Sequence, residues 1–226
     1  SKLYQAPPMA PAEVRKQTAV NMGYPGVELT WKPAQDKHWL SYYEILRDGS
    51  VIDKVAKGTY YFDHSAGAAL GADYAIRAVN GGGLRSGQTP AEGATAPRAR
   101  VLDDAAGAGV AFSGEWQRET GLQPAHMGTL AKSEKKGDSF EFTVDGSGFT
   151  WFTRLCNECG KAEIAVDGER QAVVDTYSAD DIFGVGIYSR NFPAPGKHRV
   201  RISVLGEHAG PRGKGTLVYV DGIRME

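Results

Sequence analysis

Lys161 to Ser178, KAEIAVDGERQAVVDTYS, is the stretch that decides the fold of this chain. Its two apolar runs alternate with polar residues and flank an Asp-Gly pair, which is the pattern of two antiparallel strands joined by a tight turn. In the first run Ala162, Ile164 and Val166 recur with period two, so they share one face of a strand. The stretch therefore predicts a β-hairpin whose apolar face belongs to a core.

Two registers fit the return strand of this hairpin. A three-residue turn places Ile164 opposite Ala172, whereas a four-residue turn places it opposite Val173. The choice decides which face of the sheet carries Asp175 and Tyr177, because a slip of one residue turns every side chain over. The sequence leaves both registers open.

The rest of the chain has the same β character. Short runs rich in Val, Ile, Thr, Tyr and Phe recur between Gly, Pro and Asp turn signals, and 29 of the 226 residues are glycine. No helix of the kind that joins parallel strands intervenes. The predicted fold class is therefore all-β, arranged as two tandem antiparallel β-sandwiches.

The composition of the chain limits the classes of partner that it is expected to bind. The length and the 41% hydrophobic content fit two ordinary domains with packed cores. A net charge of -1 and a pI near 6.5 give no basic footprint for nucleic acid or an anionic membrane. No run approaches the roughly 20 apolar residues of a membrane span. The opening SKLYQAPPMAPAE has neither an initiator Met nor a signal-peptide pattern, and is typical of a segment of a longer protein.

Residues 7–95 resemble a fibronectin type III domain. The resemblance rests on a proline-rich entry followed by VELTWKP, YYEILRDG and LGADYAIRAVNGGGLRSG. It implies that Trp31 packs in the core and that Tyr74 forms a structural corner. The insert-like residues 36–41 depart from the family pattern and place His38 and Trp39 in a loop. That tryptophan is expected either to be partly covered or to make an interdomain contact.

A short linker, EGATAPRAR at residues 92–100, separates this module from a second one at residues 101–226. Strands of the second module are predicted at residues 110–116, 127–132, 139–144, 149–155, 183–190, 197–205 and 215–220, besides the hairpin. The motifs GKAEIAVDG, FPAPGKHRVRISVLGEH and GTLVYVDGI make it similar to a galactose-binding-like jelly roll. This type of module resembles carbohydrate-binding modules and is often attached to secreted polysaccharide-degrading enzymes.

Strands that alternate in direction sort the loops of a sandwich between its two ends. One end is predicted to gather the loops at residues 134–138, 156–159, 178–183 and 207–214. A sugar site needs their mixture of groups, because hydroxyls require hydrogen-bonding partners and the C–H face of the ring stacks on an aromatic side chain. The predicted glycan-binding residues are Arg154, Tyr177, Asp180, Asp181, His208 and Arg212.

Two other interpretations of the loops stay open. These loops can be solvated without any ligand, with Tyr177 covering the edge of the core. The opposite end, with the loop after Trp116 and with His126, is a rival glycan site. Trp116 can instead be buried at a sheet edge, and His126 can be a strand-end residue with satisfied hydrogen bonds.

Cys156 and Cys159 form a C-x-x-C pair in an all-β context. Redox chemistry of the thioredoxin kind is disfavoured, because that motif occurs near a βαβ pattern. A zinc site needs four ligands, so His208 and an acid would have to join the two thiols. A local disulfide and two free thiols are the remaining alternatives, and a disulfide would favour a secreted protein.

A structural calcium ion is implied by the resemblance, since galactose-binding-like modules often bind one where the ends of their chain meet. Asp103, Asp104, Asp221 and Glu226 lie near the two ends of the second module and offer the hard oxygen ligands that calcium takes. Solvated terminal acids are the alternative. No other cofactor is predicted.

The sequence contains no G-x-S-x-G elbow, P-loop or H-E-x-x-H motif, so it is not predicted to be an enzyme. The predicted function is that of a non-catalytic accessory region of a secreted, cell-surface or periplasmic carbohydrate-active enzyme: a spacer followed by a glycan-binding module. Its predicted partners are a poly- or oligosaccharide and the catalytic domain of the parent protein. The alternative is that both modules only brace or dimerise the parent. A small hydrolase, a third hypothesis, would need His208 or Asp181 for turnover.

Overall fold

The structure, a computed structural model, describes residues 6–21, 24–34, 40–65, 71–93, 100–103, 109–122, 125, 128–208 and 213–226. Strands dominate these ranges and confirm the predicted all-β fold class. Within them, no helix is long and apolar enough to cross a membrane. The chain divides into two compact units. The first comprises Ser1–Pro97 and Tyr188–Asn191, and the second comprises Arg98–Ile187 and Phe192–Glu226.

Two four-stranded sheets make up the first unit. Its strands are β1 (Ala12–Asn21), β2 (Tyr24–Lys32), β3 (Leu40–Arg47), β4 (Ser50–Val55), β5 (Tyr60–Asp63), β6 (Tyr74–Asn80), β7 (Thr89–Pro90) and β8 (Glu92–Gly93). One sheet has the order β5-β2-β1-β8 and the other the order β4-β3-β6-β7. Neighbouring strands are antiparallel, apart from a short parallel contact between β1 and β8.

The sequence does not predict β1. A register shift between Ala12 and Arg15 breaks its pairing with β2, so the period-two pattern is interrupted where the strand begins. Val14, inside the shift, is nevertheless buried in the core. Alternation of apolar and polar residues does not reveal β1, because this strand is held in place by its hydrogen bonds to β2 and not by a regular pattern of its own.

Trp31 lies in the first core, as the fibronectin type III resemblance implies. Its side chain is fully buried, and its ring meets the edge of Tyr43 with 5.2 Å between centroids. β3 and β4 are joined by Asp48 and Gly49, whose φ values of 50° and 78° are those of a two-residue turn that matches strand twist. This hairpin and β6 supply much of the core that surrounds Trp31.

Tyr74 is also buried, and its hydroxyl donates a hydrogen bond to Oδ2 of the buried Asp63 at 2.8 Å. Arg47 donates to the same oxygen at 2.8 Å, and the hydroxyl of Ser65 donates to Oδ1 at 2.6 Å. Burial alone would raise the pKa of Asp63, but the hydrogen bonds and the charge of Arg47 outweigh it and lower that pKa. The carboxylate therefore joins β3, β5 and β6 in its charged form.

The second unit contains a seven-stranded sheet and a three-stranded sheet. Its strands are β9 (Arg100–Asp103), β10 (Val110–Ser113), β11 (Gln117–Thr120), β12 (Thr129–Ser133), β13 (Ser139–Leu155), β14 (Gly160–Val166), β15 (Glu169–Asp175), β16 (Ile182–His208), β17 (Val218–Val220) and β18 (Gly222–Met225). The large sheet has the order β15-β14-β16-β13-β18-β9, with β10 on β13, and the small sheet has the order β11-β12-β17. Phe140, Trp151 and Ile202 are among its buried core residues.

The hairpin of β14 and β15 resolves the open register. Ile164 pairs with Ala172, the pairing expected of a three-residue turn. The turn itself has two residues, Asp167 and Gly168, both with positive φ, and a register shift after Ile164 supplies the extra residue. A bulge next to a two-residue turn thus produces the pairing of a longer turn.

In two places, two strands that the sequence predicts as separate are one continuous strand in the structure. The predicted strands at residues 139–144 and 149–155 form β13, because Glu226 lies against the point where a turn was expected. The backbone N–H groups of Ser147 and Gly148 both donate to the carbonyl of Glu226, and a Cβ at Gly146 would collide with it. The predicted strands at residues 183–190 and 197–205 likewise form one strand, β16. The pairing of β16 with β14 begins at Val200, after Pro193 and Pro195.

We expect Tyr74→Phe to destabilise the first unit by about 2 kcal/mol at neutral pH, because the buried Asp63 loses a donor to its charged form. Stabilisation by a carboxylate of lowered pKa is complete above its unfolded pKa of about 4 and is lost as the pH falls through its folded pKa. The difference from wild type should therefore shrink in acid. Urea denaturation at pH 7 and at about pH 3 measures it.

Tyr42→Phe, which alters a half-buried ring on β3, is the control and should change stability by less than about 0.5 kcal/mol. A Tyr74→Phe loss that is equally large at both pH values would contradict the role given to Asp63.

Candidate functional site

A cleft of about 610 Å³ opens beside Trp116 in the second unit. It lies where β11, β12 and the segment before β17 meet. We call it the Trp116 cleft; its lining residues are Glu115, Trp116, Gln117, Lys132, Ser133, Glu134, Lys135 and Leu217. The cleft combines one aromatic ring with carboxylates, ammonium groups, an amide and a hydroxyl.

Trp116 has a fixed orientation at the edge of the core. Its indole N–H donates to the carbonyl of Ser113 at 3.1 Å. Its ring packs against Phe112 at a tilt, with centroids 5.2 Å apart, and nearly perpendicular to the ring of Phe140, with centroids 5.6 Å apart. The ring stays half-buried, so part of its surface is available to the cleft.

The buried carboxylate of Asp138 joins the two walls of the cleft. It accepts hydrogen bonds from the backbone N–H of Glu115 at 2.8 Å and from the hydroxyl of Ser133 at 2.6 Å. Gly114 makes this approach possible, because its φ of 101° suits glycine and any Cβ there would collide with the Asp138 carboxylate. The segment that carries Trp116 is thus fixed to the end of β12.

A line of ion pairs runs from the cleft along the small sheet. Lys132 pairs with Glu119, Glu119 Oε2 lies 3.8 Å from Arg154 Nη1, and Arg154 Nη2 lies 3.0 Å from Asp181 Oδ1. We call these four residues the paired charge chain. The hydrogen bond from Lys132 to Glu119 outweighs burial and raises the pKa of Lys132, so this residue stays charged. Donors and acceptors therefore alternate along the line, with each charge compensated by a neighbour.

Arg154 is fixed between two aromatic rings. Its guanidinium carbon lies 5.0 Å from the centroid of Phe183 and 5.1 Å from that of Tyr219, and Nη1 donates to the Tyr219 hydroxyl at 3.4 Å. Burial raises the pKa of Tyr219, so its hydroxyl remains neutral. The guanidinium is thereby pre-organised with 19% of the side chain exposed.

The structure brings together two of the predicted site residues, Arg154 and Asp181. Tyr177 is half-buried and forms a backbone bridge with Cys156, while Asp180 is exposed. Neither has a described contact with Arg154.

His208 is exposed at the end of β16, where its backbone faces Gly160. Arg212 and His126 lie outside the described residues, as do His38 and Trp39 of the first module. The loop with Arg212 and the rival pairing of Trp116 with His126 therefore stay predictions.

The loop alternation expected from the sequence is wrong at Trp116. It separates Trp116 from residues 134–138, yet Glu115 forms an ion pair with Lys135 and both line the cleft. The reason is β11, a strand that begins at Gln117, in a stretch for which the sequence pattern predicts a loop. An additional strand reverses the end at which every later loop emerges.

Sequence reasoning also missed Glu119 and Lys132. Glu119 lies in the run QRET, which has no apolar residue to mark a face. Lys132 pairs opposite Gln117, and this register becomes visible only in the folded sheet.

Cys156 and Cys159 form a disulfide, so they are neither free thiols nor zinc ligands. The loop that they close also positions one wall of the cleft. Leu217, which lines the cleft, donates its N–H to the Glu158 carbonyl at 3.0 Å and accepts from the Gly160 N–H at 2.8 Å. The disulfide loop thus lies directly behind the site.

The four acids predicted to bind calcium do not form a single site. Asp221 and Glu226 flank β18, and five residues of strand span about 16 Å, too far for both to ligate one ion. The backbone of Asp103 pairs with Gly222 beside Asp221, whereas Asp104 lies outside the described residues. In the described part of the chain, no group of three or more His, Cys, Asp or Glu side chains could bind a metal. A calcium requirement stays a prediction.

A second concavity, of about 680 Å³, lies on the outer face of the large sheet. Its lining residues are Glu141, Glu163, Ala165, Asp167, Gly168, Arg199, Arg201 and Ser203. None of them is aromatic, so this basin offers no surface on which a sugar ring could stack. Arg199 and Arg201 both pair with Glu141 and remain largely exposed.

No protein-family model matches the sequence, and no curated protein matches it. Solved structures of carbohydrate-active enzymes are similar to part of the chain. The catalytic domain of Agl-KA is 16% identical over 57% of this chain and 27% of its own, with a TM-score of 0.40. A two-domain esterase active on acetylated mannans, co-crystallised with mannopentaose, is 18% identical over 57% of this chain and 36% of its own, with a TM-score of 0.42.

A family two carbohydrate esterase from Cellvibrio japonicus is 14% identical over 56% of this chain and 33% of its own, with a TM-score of 0.40. This chain thus spans between 27% and 36% of the length of these neighbours. Similarity at such TM-scores does not establish a shared activity.

We expect Asp138→Ala to destabilise the second unit by about 2 kcal/mol, because two donors lose a buried acceptor. Asp145→Ala, which removes an exposed carboxylate on β13, is the matched control and should stay within about 0.5 kcal/mol of wild type. Urea denaturation followed by tryptophan fluorescence compares them. Equal stability of the two variants would show that Asp138 does not fix the cleft.

Proposed function

We propose that the second unit binds a neutral oligo- or polysaccharide, without catalysis, at the Trp116 cleft and the paired charge chain. The observation that carries the proposal is the junction of an oriented aromatic ring with a line of alternating donors and acceptors. Lys132 belongs to both the cleft and the chain, so the two parts form one surface.

This surface matches the chemistry of a sugar. The C–H face of a pyranose ring is apolar and can stack on the exposed part of Trp116. Each sugar hydroxyl is both a donor and an acceptor, so it can bridge an ammonium or guanidinium group and the carboxylate beside it. Pre-organised side chains lower the entropy lost on binding, and Arg154 is already fixed between two rings.

The pairing of charges favours a neutral ligand. An anionic ligand would have to displace Glu119 or Asp181 from Arg154, and a cationic ligand would have to displace Lys132 from Glu119. Breaking such pairs would oppose the gain from a new one. A neutral chain of hydroxyls can bind without separating any of them.

A binding role also fits the carboxylates better than hydrolysis does. Glycoside hydrolysis needs a pair of carboxyl groups of which one keeps its proton. Glu115 and Glu119 each form an ion pair with a lysine, Lys135 and Lys132 respectively. In these pairs the two carboxylates are hydrogen-bond acceptors, which is the role that binding of sugar hydroxyls requires.

We further propose that the chain is an accessory region of a secreted, cell-surface or periplasmic carbohydrate-active enzyme. The first unit would be a fibronectin type III-like spacer and the second a galactose-binding-like jelly roll, with a catalytic domain of the same protein as partner. The paired four-stranded sheets around Trp31 and the disulfide of the second unit support this proposal. Modest affinity at one site would gain avidity from a repeating polymer.

The test is affinity electrophoresis of the whole chain in gels that contain hydroxyethylcellulose, xylan, mannan, laminarin or pullulan, with polygalacturonate as the acidic comparison. We expect a neutral polysaccharide to retard the wild type and Trp116→Ala to weaken that retardation about tenfold. The reason is that a stacked aromatic contact contributes roughly 1–2 kcal/mol.

Arg201→Ala, in the basin without aromatic residues, is the control and should migrate like the wild type. Wild-type retardation that persists in Trp116→Ala would exclude this site. Migration unaffected by every polysaccharide would instead favour the structural role of bracing or dimerising the parent enzyme.

A further inference from the structure

The site is longer than one sugar ring. Trp116 precedes β11 and Glu119 is the third residue of that strand, and three residues of extended chain span about 10 Å. Arg154 lies beyond Glu119, at 3.8 Å from its carboxylate, and Asp181 lies beyond Arg154. One monosaccharide stacked on Trp116 would not reach the Arg154–Asp181 pair.

The intervening groups lie on one face of the small sheet. Gln117 and Glu119 are two residues apart on β11, so they share a face. Lys132 is the direct partner of Gln117 and Tyr219 is the direct partner of Lys132, which places all of them on that face. Tyr219 itself is buried, at 3% exposure, so the surface runs from the cleft to Asp181 along the partly exposed side chains of Lys132, Glu119 and Arg154.

Both ends of this surface are open to solvent. At the cleft, the side chains of Glu115 and Lys135 are 76% and 58% exposed. At the other end, Asp181 is 55% exposed. A chain can therefore continue past either end.

We infer, resting on the proposed glycan binding, that the ligand is the interior of a linear saccharide of at least two or three residues, with one residue on Trp116 and another on the Arg154–Asp181 pair. The two parts of the surface are thus separate subsites for successive residues. A terminal monosaccharide fills only the first of them.

Isothermal titration with a length series tests this inference. The probes are the mono-, di-, tri- and hexasaccharides of whichever neutral polysaccharide retards the wild type most. We expect affinity to rise at least about tenfold from the mono- to the trisaccharide and then to level off. A hexasaccharide modified at both ends should bind as tightly as the unmodified one, because the site is open at both ends.

Variants separate the two subsites. Trp116→Ala should weaken every saccharide, whereas Asp181→Ala should weaken the tri- and hexasaccharide about five- to tenfold and leave the monosaccharide unchanged. Asp181→Asn keeps an acceptor beside Arg154 and should recover part of the loss. Asp145→Ala, an exposed acid elsewhere on the second unit, should bind like the wild type.

Equal affinity for the mono- and hexasaccharide, or an Asp181→Ala loss that is the same for both, would overturn the inference while leaving the proposed function intact. Failure of every saccharide to bind would instead reject the proposed function and this inference with it.

Discussion

The candidate site depends on the buried carboxylate of Asp138. Without this carboxylate, the N–H of Glu115 and the hydroxyl of Ser133 would each lose the acceptor to which they donate. The carboxylate fixes the start of β11 to the end of β12, and that junction defines the angle at which Trp116 enters the cleft. The arrangement also requires glycine at position 114, because a Cβ there would collide with the Asp138 carboxylate. Core packing and site geometry are therefore parts of one arrangement.

Much of the fold follows from local pattern. The hairpin of β14 and β15 and the β3–β4 turn at Asp48 and Gly49 are specified by residues that lie close in sequence, whereas the burial of Trp31 and Tyr74 is implied by the fibronectin type III resemblance. Period-two alternation and Asp-Gly turns are strong signals, because they restrict the backbone before any tertiary contact forms. Arg154 and Asp181 are expected at the same end of the sandwich, and the structure pairs them; that they bind a ligand stays a prediction.

The remaining features depend on contacts between distant residues. Nothing near Asp145 shows that β13 continues, since the carbonyl that replaces the expected turn belongs to Glu226. β11 is polar throughout and is defined by its partner β12. The register shift after Ile164 inserts one residue without any composition signal. Each case depends on hydrogen bonds between residues that are not neighbours in sequence. The order of polar and apolar side chains along the chain does not reveal such pairings.

Compensation within the paired charge chain also bears on how the proposed ligand would meet this surface. Its four charges cancel locally, and beyond a Debye length of about 8 Å at physiological ionic strength any residual field is screened. The neutral saccharide proposed as ligand has no net charge on which such a field could act, so its association would not be steered electrostatically. Dissociation would set the lifetime of each contact. On a repetitive polymer, rapid rebinding to neighbouring segments would let this surface travel along its ligand without leaving it.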